Sequence, residues 1–156
     1  KVSYVPQDIH LFRNTIKNNI LGSYKFVDDE WMIKCSKISG TDEFVKLHPV
    51  GYDMPIGERG AGLSGGQRQS VGIARALIND SKIYLFDEPT NAMDQTSESN
   101  VLNNLKENLE EKTLFLVTQK MNMLDLVTRV IVMNQGEKVL DGDKMEIIKK
   151  LGVNNG

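Results

Sequence analysis

Apolar residues recur at helical spacing in some stretches and gather into short unbroken runs in others. Residues 1–5 read as a short strand, closed by the breaker Pro6-Gln7-Asp8. Residues 14–21 read as a short helix with Gly22 as its stop signal. The pattern predicts a second helix over 28–39, with Met32, Cys35 and Ile38 on one face. Its acidic start suits the positive end of a helix dipole. A short helix is expected over 42–47, and 49–62, rich in Gly and Pro, reads as a loop. The register then changes. Residues 64–78 read as a helix, and 82–86 as a strand buried on both faces. Residues 95–111 read as a helix with Leu102, Leu105 and Leu109 on one face, and 113–117 as another buried strand. Segments 129–133 and 138–140 flank Asn134-Gln135-Gly136, a hairpin signal, and 143–151 closes as a helix. The chain is therefore helical and loop-rich to about residue 62 and alternates strand with helix beyond it. That alternation implies a parallel sheet with helices packed on it. No internal repeat or low-complexity segment is visible.

Composition narrows the class. At 156 residues the chain is one domain or a large part of one. Hydrophobic residues make up 40%, enough to fill a core. The net charge of -2, with nothing more basic than Lys149-Lys150 and the Arg68/Arg75 pair, argues against nucleic acid as a partner. Cys35 is the single cysteine, so it forms no internal disulfide. It reads as a small apolar residue of the 28–39 helix, which fits a reducing compartment. No apolar run approaches the roughly 20 residues that span a bilayer, and no signal peptide opens the chain. Membrane association would thus come through a partner or through sequence outside this stretch. The first strand has no cap or helix before it and reads as a cut end.

Two motifs carry chemistry. Leu63-Ser64-Gly65-Gly66-Gln67 opens the 64–78 helix. Ser64 and Gln67 have capping-box spacing. The two glycines leave helix-start N–H groups uncovered, and those groups with the dipole form an anion site. Alone, Ser64 to Gln67 is equally a plain helix start. One helix later, Ile83-Tyr84-Leu85-Phe86-Asp87-Glu88 is an apolar strand ending in two carboxylates, followed by Pro89-Thr90. Parallel sheets bind ligands at that carboxyl edge. Asp87 can hold Mg²⁺ through oxygen, and Glu88 can orient or deprotonate a water for attack on a γ-phosphate.

At these residues the chain resembles the ABC ATPases, from Tyr4 to about Leu140. Leu63 to Gln67 is similar to the family signature and Ile83 to Glu88 to the Walker B strand with its catalytic glutamate. Gln7 looks like the glutamine that touches Mg²⁺ and water. Asn91-Ala92-Met93-Asp94 resembles the loop after Walker B, usually Ser-Ala-Leu-Asp, with Asp94 retained. The resemblance implies an α/β fold, a partial RecA-like parallel sheet with flanking helices plus an α-helical signature subdomain. Its division would be a helical part over about 8–78 and a core part over about 79–156. It implies ATP and Mg²⁺ as ligands, with Ser64, Gly65, Gly66 and Gln67 at the nucleotide, Asp87 and Gln7 at the metal, and Glu88 and Gln119 in catalysis. Family members pair head to tail with a second ATPase domain and couple to a transmembrane domain. Gly57-Glu58-Arg59-Gly60 is similar to exporters, and the stretch 123–133 looks like the tail of type I protein-secretion and bacteriocin-type exporters. Those export a polypeptide, with the ATPase on the cytoplasmic face of the bacterial inner membrane.

Two departures stand out. The 156 residues contain no Gly-x-x-x-x-Gly-Lys-Ser/Thr, the Walker A loop that grips the phosphates. By themselves they are expected to bind ATP weakly and to be inactive. Where the family usually has a histidine after the 113–117 strand, this chain has Gln119, which can hydrogen-bond a phosphate but cannot carry positive charge. That predicts slower hydrolysis. His10 and His48 are expected in solvent. His10, Leu11 and Phe12 are candidates for docking on the membrane domain, unless Phe12 packs inside the helical lobe. Met121, Met123 and Met133 read as core filling. Three readings follow: part of an ATP-hydrolysing exporter; a hydrolysis-deficient partner module that supplies its signature helix; or a soluble ABC protein of DNA repair or translation, which would carry coiled coils or tandem ATPase domains.

Overall fold

The computed structural model describes residues 1–24 and 27–152 and separates into two compact units, Lys1–Val117 and Thr118–Gly156. In the first, β1 (Val2–Val5) leads to β2 (Asn14–Thr15) and α1 (Ile16–Leu21). The helix expected over 14–21 thus starts two residues late. Asn14 and Thr15 pair antiparallel with β3 (Pro55–Ile56), and the Thr15 hydroxyl caps α1 by accepting the Asn18 N–H at 3.1 Å. Before β3 come α2 (Asp29–Ile38), capped by Asp28, and α3 (Thr41–Val45). The 49–62 loop carries β3 and two 3₁₀ turns, Gly51–Asp53 and Glu58–Gly60. Then follow α4 (Gly65–Ile78), β4 (Ile83–Asp87), α5 (Gln95–Asn108) and β5 (Thr113–Val117).

The helix α4 is the axis of this unit. It packs on α1, α2, α3 and β1 and buries Val71, Ile73, Ala74, Leu77 and Ile78. Ile9 lies against Gly72, where a Cβ has no room. Met32, Cys35 and Ile38 are buried as expected, and burial pushes the Cys35 thiol up to about 12, so it is an unreactive core residue. Leu102, Leu105 and Leu109 are likewise buried.

The sheet has order β1-β4-β5, all parallel. Register sets Tyr84 beside Leu114 and Phe86 beside Leu116 on the packed face. Tyr84 and Phe86 meet edge to face at 5.9 Å. The opposite face differs from expectation. Tyr4, Leu85 and Phe115 stand side by side there, and Phe115 is 60% exposed. The strands are thus packed on one face, not both. Their apolar runs put hydrophobic residues on each side, and among the described residues the helices cover only one.

The second unit holds a 3₁₀ segment (Met121–Leu126), β6 (Arg129–Asn134), β7 (Glu137–Asp143) and α6 (Lys144–Lys150), capped by Asp143. The hairpin signal is correct. Gln135 and Gly136 both have positive φ, 49° and 83°, as a two-residue I′ turn requires. Met123 is buried, but Met121 and Met133 are exposed, which corrects two of the three core assignments. Met133 falls at a bulge that shifts the β6 register after Val132. Across the hairpin, Arg129 forks onto Asp141, with Nε at 2.9 Å and Nη2 at 3.1 Å, and Lys138 adds a bond at 3.1 Å. The Arg129 hydrogen bond foremost, then that of Lys138, lowers the Asp141 carboxyl to about 2. A depressed carboxyl contributes stability above its unfolded value of about 3.9, lost as pH falls through about 2. NMR titration of Asp141 should therefore find a midpoint near 2, drifting up with salt; a midpoint near the free value would mean the fork does not persist in solution. Among the described residues, no helix is long and apolar enough to cross a membrane.

Candidate functional site

The connection from α4 into β4 brings the two motifs together. A helix of 14 residues runs about 21 Å, and a strand of five returns about 17 Å. The start of α4 therefore lies near the carboxyl end of β4. At that start the capping box is complete: the Ser64 hydroxyl accepts the Gln67 N–H at 3.1 Å, and the Gln67 Oε1 accepts the Ser64 N–H at 2.9 Å. Gly65 and Gly66 sit at the first two helical positions, whose N–H groups have no acceptor within the helix. Their lack of side chains has a second reason. A Cβ on Gly65 would sit 2.9 Å from the Ala92 Cβ, and one on Gly66 would sit 3.0 Å from the Ala92 carbonyl oxygen. The segment after β4 is seated on the glycines.

Asp87 ends β4, paired with Val117, and the Glu88 N–H still donates to the Val117 carbonyl at 2.9 Å. Glu88 then turns the chain with φ of 45°, a left-handed conformation costly for a non-glycine residue. Gln7 leaves β1 at the same edge, because Val5 pairs with Phe86 in the parallel sheet. Thr90 is buried and donates to Glu98 on α5 at 2.8 Å. Asp94 caps α5, accepting the Ser97 hydroxyl at 2.6 Å and the Ser97 N–H at 3.0 Å, and these bonds lower its carboxyl pKa, the hydroxyl bond foremost. Gln119 lies in the second unit, two residues past β5.

One residue escaped the sequence reading. Gln69, 5% exposed on α4, donates from Nε2 to the Glu88 carbonyl at 3.2 Å and accepts the Ala92 N–H on Oε1 at 2.8 Å. A signal existed: Gln69 shares its helix face with Ile73 and Ala76, an apolar stripe where a polar residue needs a partner. Among the described residues, no cluster of three or more His, Cys, Asp or Glu could hold a metal by itself. The oxygen donors at this edge, Asp87 and Gln7, suit a cation that takes few protein ligands and keeps waters and phosphates, as Mg²⁺ does.

The family model described as ABC transporter matches residues 1–91. The chain belongs to the ABC transporter family. It is 37% identical, over all its length, to a leukotoxin translocation ATP-binding protein of a Pasteurella haemolytica-like strain, covering 22% of that protein. It is 36% identical to a leukotoxin export ATP-binding protein of Aggregatibacter actinomycetemcomitans, over 96% of this chain and 21% of that one. It thus spans about a fifth of these relatives' length. A bacterial Atm1-family ABC exporter solved with ATP bound superposes with a TM-score of 0.89 at 30% identity, over 96% of this chain and 26% of that one.

In this ABC chain the segment after Gln7 is tied to the signature helix by Arg75. Its Nε donates to the Asn19 carbonyl at 2.7 Å, Nη1 to the His10 carbonyl at 3.0 Å and Nη2 to the Asn19 Oδ1 at 3.3 Å. Asn19 in turn accepts the Phe12 N–H and donates to the carbonyls of Phe12 and Thr15. Phe12 itself does not pack inside the lobe; it is 69% exposed, with the Arg75 guanidinium 5.9 Å from its ring. His10 is exposed, His48 half-buried and Leu11 buried. Of the docking candidates, only His10 and Phe12 are on the surface.

Proposed function

We propose that this chain is part of the ATP-hydrolysing domain of an exporter that moves a polypeptide out of a bacterium, working on the cytoplasmic face of the inner membrane. The observation that carries this reading is the seating of the signature glycines on the segment that follows Asp87-Glu88. The reading is supported because the start of α4 and the Asp87-Glu88 pair belong to one continuous piece of structure. The names of the relatives, leukotoxin export and translocation proteins, support the polypeptide cargo.

In this mechanism residues 8–78 act as the signature part and 79–156 as the core part. Two copies pair head to tail. The Gly65 and Gly66 N–H groups, with Ser64 and the α4 dipole, meet the γ-phosphate of the ATP held by the partner. That contact lasts only as long as the γ-phosphate, so binding closes the pair and hydrolysis opens it. Asp87 and Gln7 would hold Mg²⁺, which would supply charge neutralisation on the phosphates. Glu88 takes the proton of the attacking water, and Gln119 contacts the phosphate. His10 and Phe12 face the transmembrane domain. These 156 residues have no phosphate loop of their own, so by themselves they bind ATP weakly.

Gln119 favours a second reading, a partner that supplies its signature helix and hydrolyses little. Reconstituting the full transporter in lipid vesicles separates the two. ATP-driven release of phosphate and movement of a polypeptide support the exporter, and Gln119→His should then raise turnover. Turnover that appears only after a competent partner is added supports the second reading, and an unchanged rate in Gln119→His removes the role given to Gln119.

A further inference from the structure

We propose that Gln69 is a positioning residue for Glu88, coupling the signature helix to the carboxylate edge of the same chain. The proposal rests on the ATPase reading above. Its basis is a single buried amide that makes two bonds, both to backbone. Only one amide orientation satisfies them: the Ala92 N–H must meet the oxygen and the Glu88 carbonyl must meet the nitrogen. The two bonded groups bracket the tight turn that starts at Glu88, the residue held at φ of 45°. Without the two Gln69 bonds the turn keeps its backbone bonds, from the Glu88 N–H to Val117 and from the Asn91 N–H to Glu88, but loses its link to α4, so the carboxylate is set less precisely. Gly65 and Gly66 press the same turn from the start of α4. A shift of α4 therefore acts on the Glu88–Ala92 segment both through the Gln69 amide and through the glycines.

The arrangement links two different nucleotides. In a head-to-tail pair, the start of α4 meets the partner's ATP, while Glu88 serves the ATP of its own chain. Gln69 lies between them. Closure on one nucleotide thus sets the geometry of catalysis at the other.

The test uses the full transporter in lipid, with Gln69→Met, which removes both bonds, and Gln69→Glu, which keeps the Ala92 bond and, ionised, loses the donor to Glu88. Misplacing a catalytic group by a fraction of an ångström slows chemistry, so kcat should fall about tenfold or more in both. KM for ATP should stay within about threefold, because the nucleotide contacts are untouched. Both variants unpair a buried backbone group, so their nucleotide-free melting midpoints should fall by a few degrees while the domain stays folded. In a Glu88→Gln background, single-turnover phosphate release should show no further loss, because Gln69 acts through Glu88. Unchanged kcat in the folded variants overturns the proposal. So does a raised KM with kcat kept, or the same fold-loss in the Glu88→Gln background. If neither variant folds, Gln69 is a structural residue only, and the proposal is wrong. A wild-type transporter with no ATPase activity, alone or paired, would instead sink the ATPase reading itself.

Discussion

Glu88→Gln in the full transporter is expected to slow ATP hydrolysis by about 10²–10³-fold while leaving ATP binding in place, the scale set by losing a general base. The exchange keeps the size of the side chain but removes its charge and its capacity to take a proton. The backbone that holds residue 88 does not depend on the carboxylate: its N–H donates to Val117 and its carbonyl accepts from Gln69. The turn should therefore survive, with its left-handed φ. Asp87, Gln7 and the capped start of α4, to which the proposed mechanism gives the metal and a phosphate, are unchanged by the exchange. The variant should accumulate as an ATP-loaded pair that does not reopen. Phosphate release measures the first effect, and size-exclusion chromatography with ATP measures the second. Turnover within about threefold of wild type would show that Glu88 is not the base.

Arg75→Met should be the most damaging substitution outside the motifs, destabilising the domain by about 3 kcal/mol. Methionine fills much of the same volume but donates nothing. The carbonyls of Asn19 and His10 would each lose a charged donor, and Asn19 Oδ1 would lose one of its two. A hydrogen bond to a charged group contributes about 1.5–3 kcal/mol, and part of the loss is recovered where water reaches these groups. Burial lowers the Arg75 pKa, but arginine stays charged, so the guanidinium remains a full donor set. Arg75→Lys should restore only part of the stability, since one ammonium cannot reproduce a planar fork. Urea denaturation of the ATPase domain measures both. A change below about 1 kcal/mol for methionine would mean that the segment from His10 to Asn19 is held by other contacts.

Much of this architecture is local and was legible. Ser64 and Gln67 are three residues apart, and their reciprocal bonds form whenever a helix starts there. Gln135-Gly136 turns the hairpin because both residues tolerate positive φ. The Leu102, Leu105 and Leu109 stripe follows from helical period alone. The motifs on either side of β4 were legible for the same reason: each is a short run of neighbours in sequence.

What stayed hidden depends on residues far apart in the chain. The sequence by itself determined most of the helices and strands, the α4 capping box and the hairpin turn, because turns and periodicity act over a few residues. Only the tertiary structure decided which apolar faces are covered, and it left Tyr4, Leu85 and Phe115 on the open side of strands whose composition suited burial on both. It alone seated Gly65 and Gly66 on Ala92, turned Gln69 onto Glu88 across 19 residues, and laid Arg75 against Asn19 across 56. Those contacts arise where packed elements cross, and the hydrophobic pattern of a single element carries no record of what crosses it.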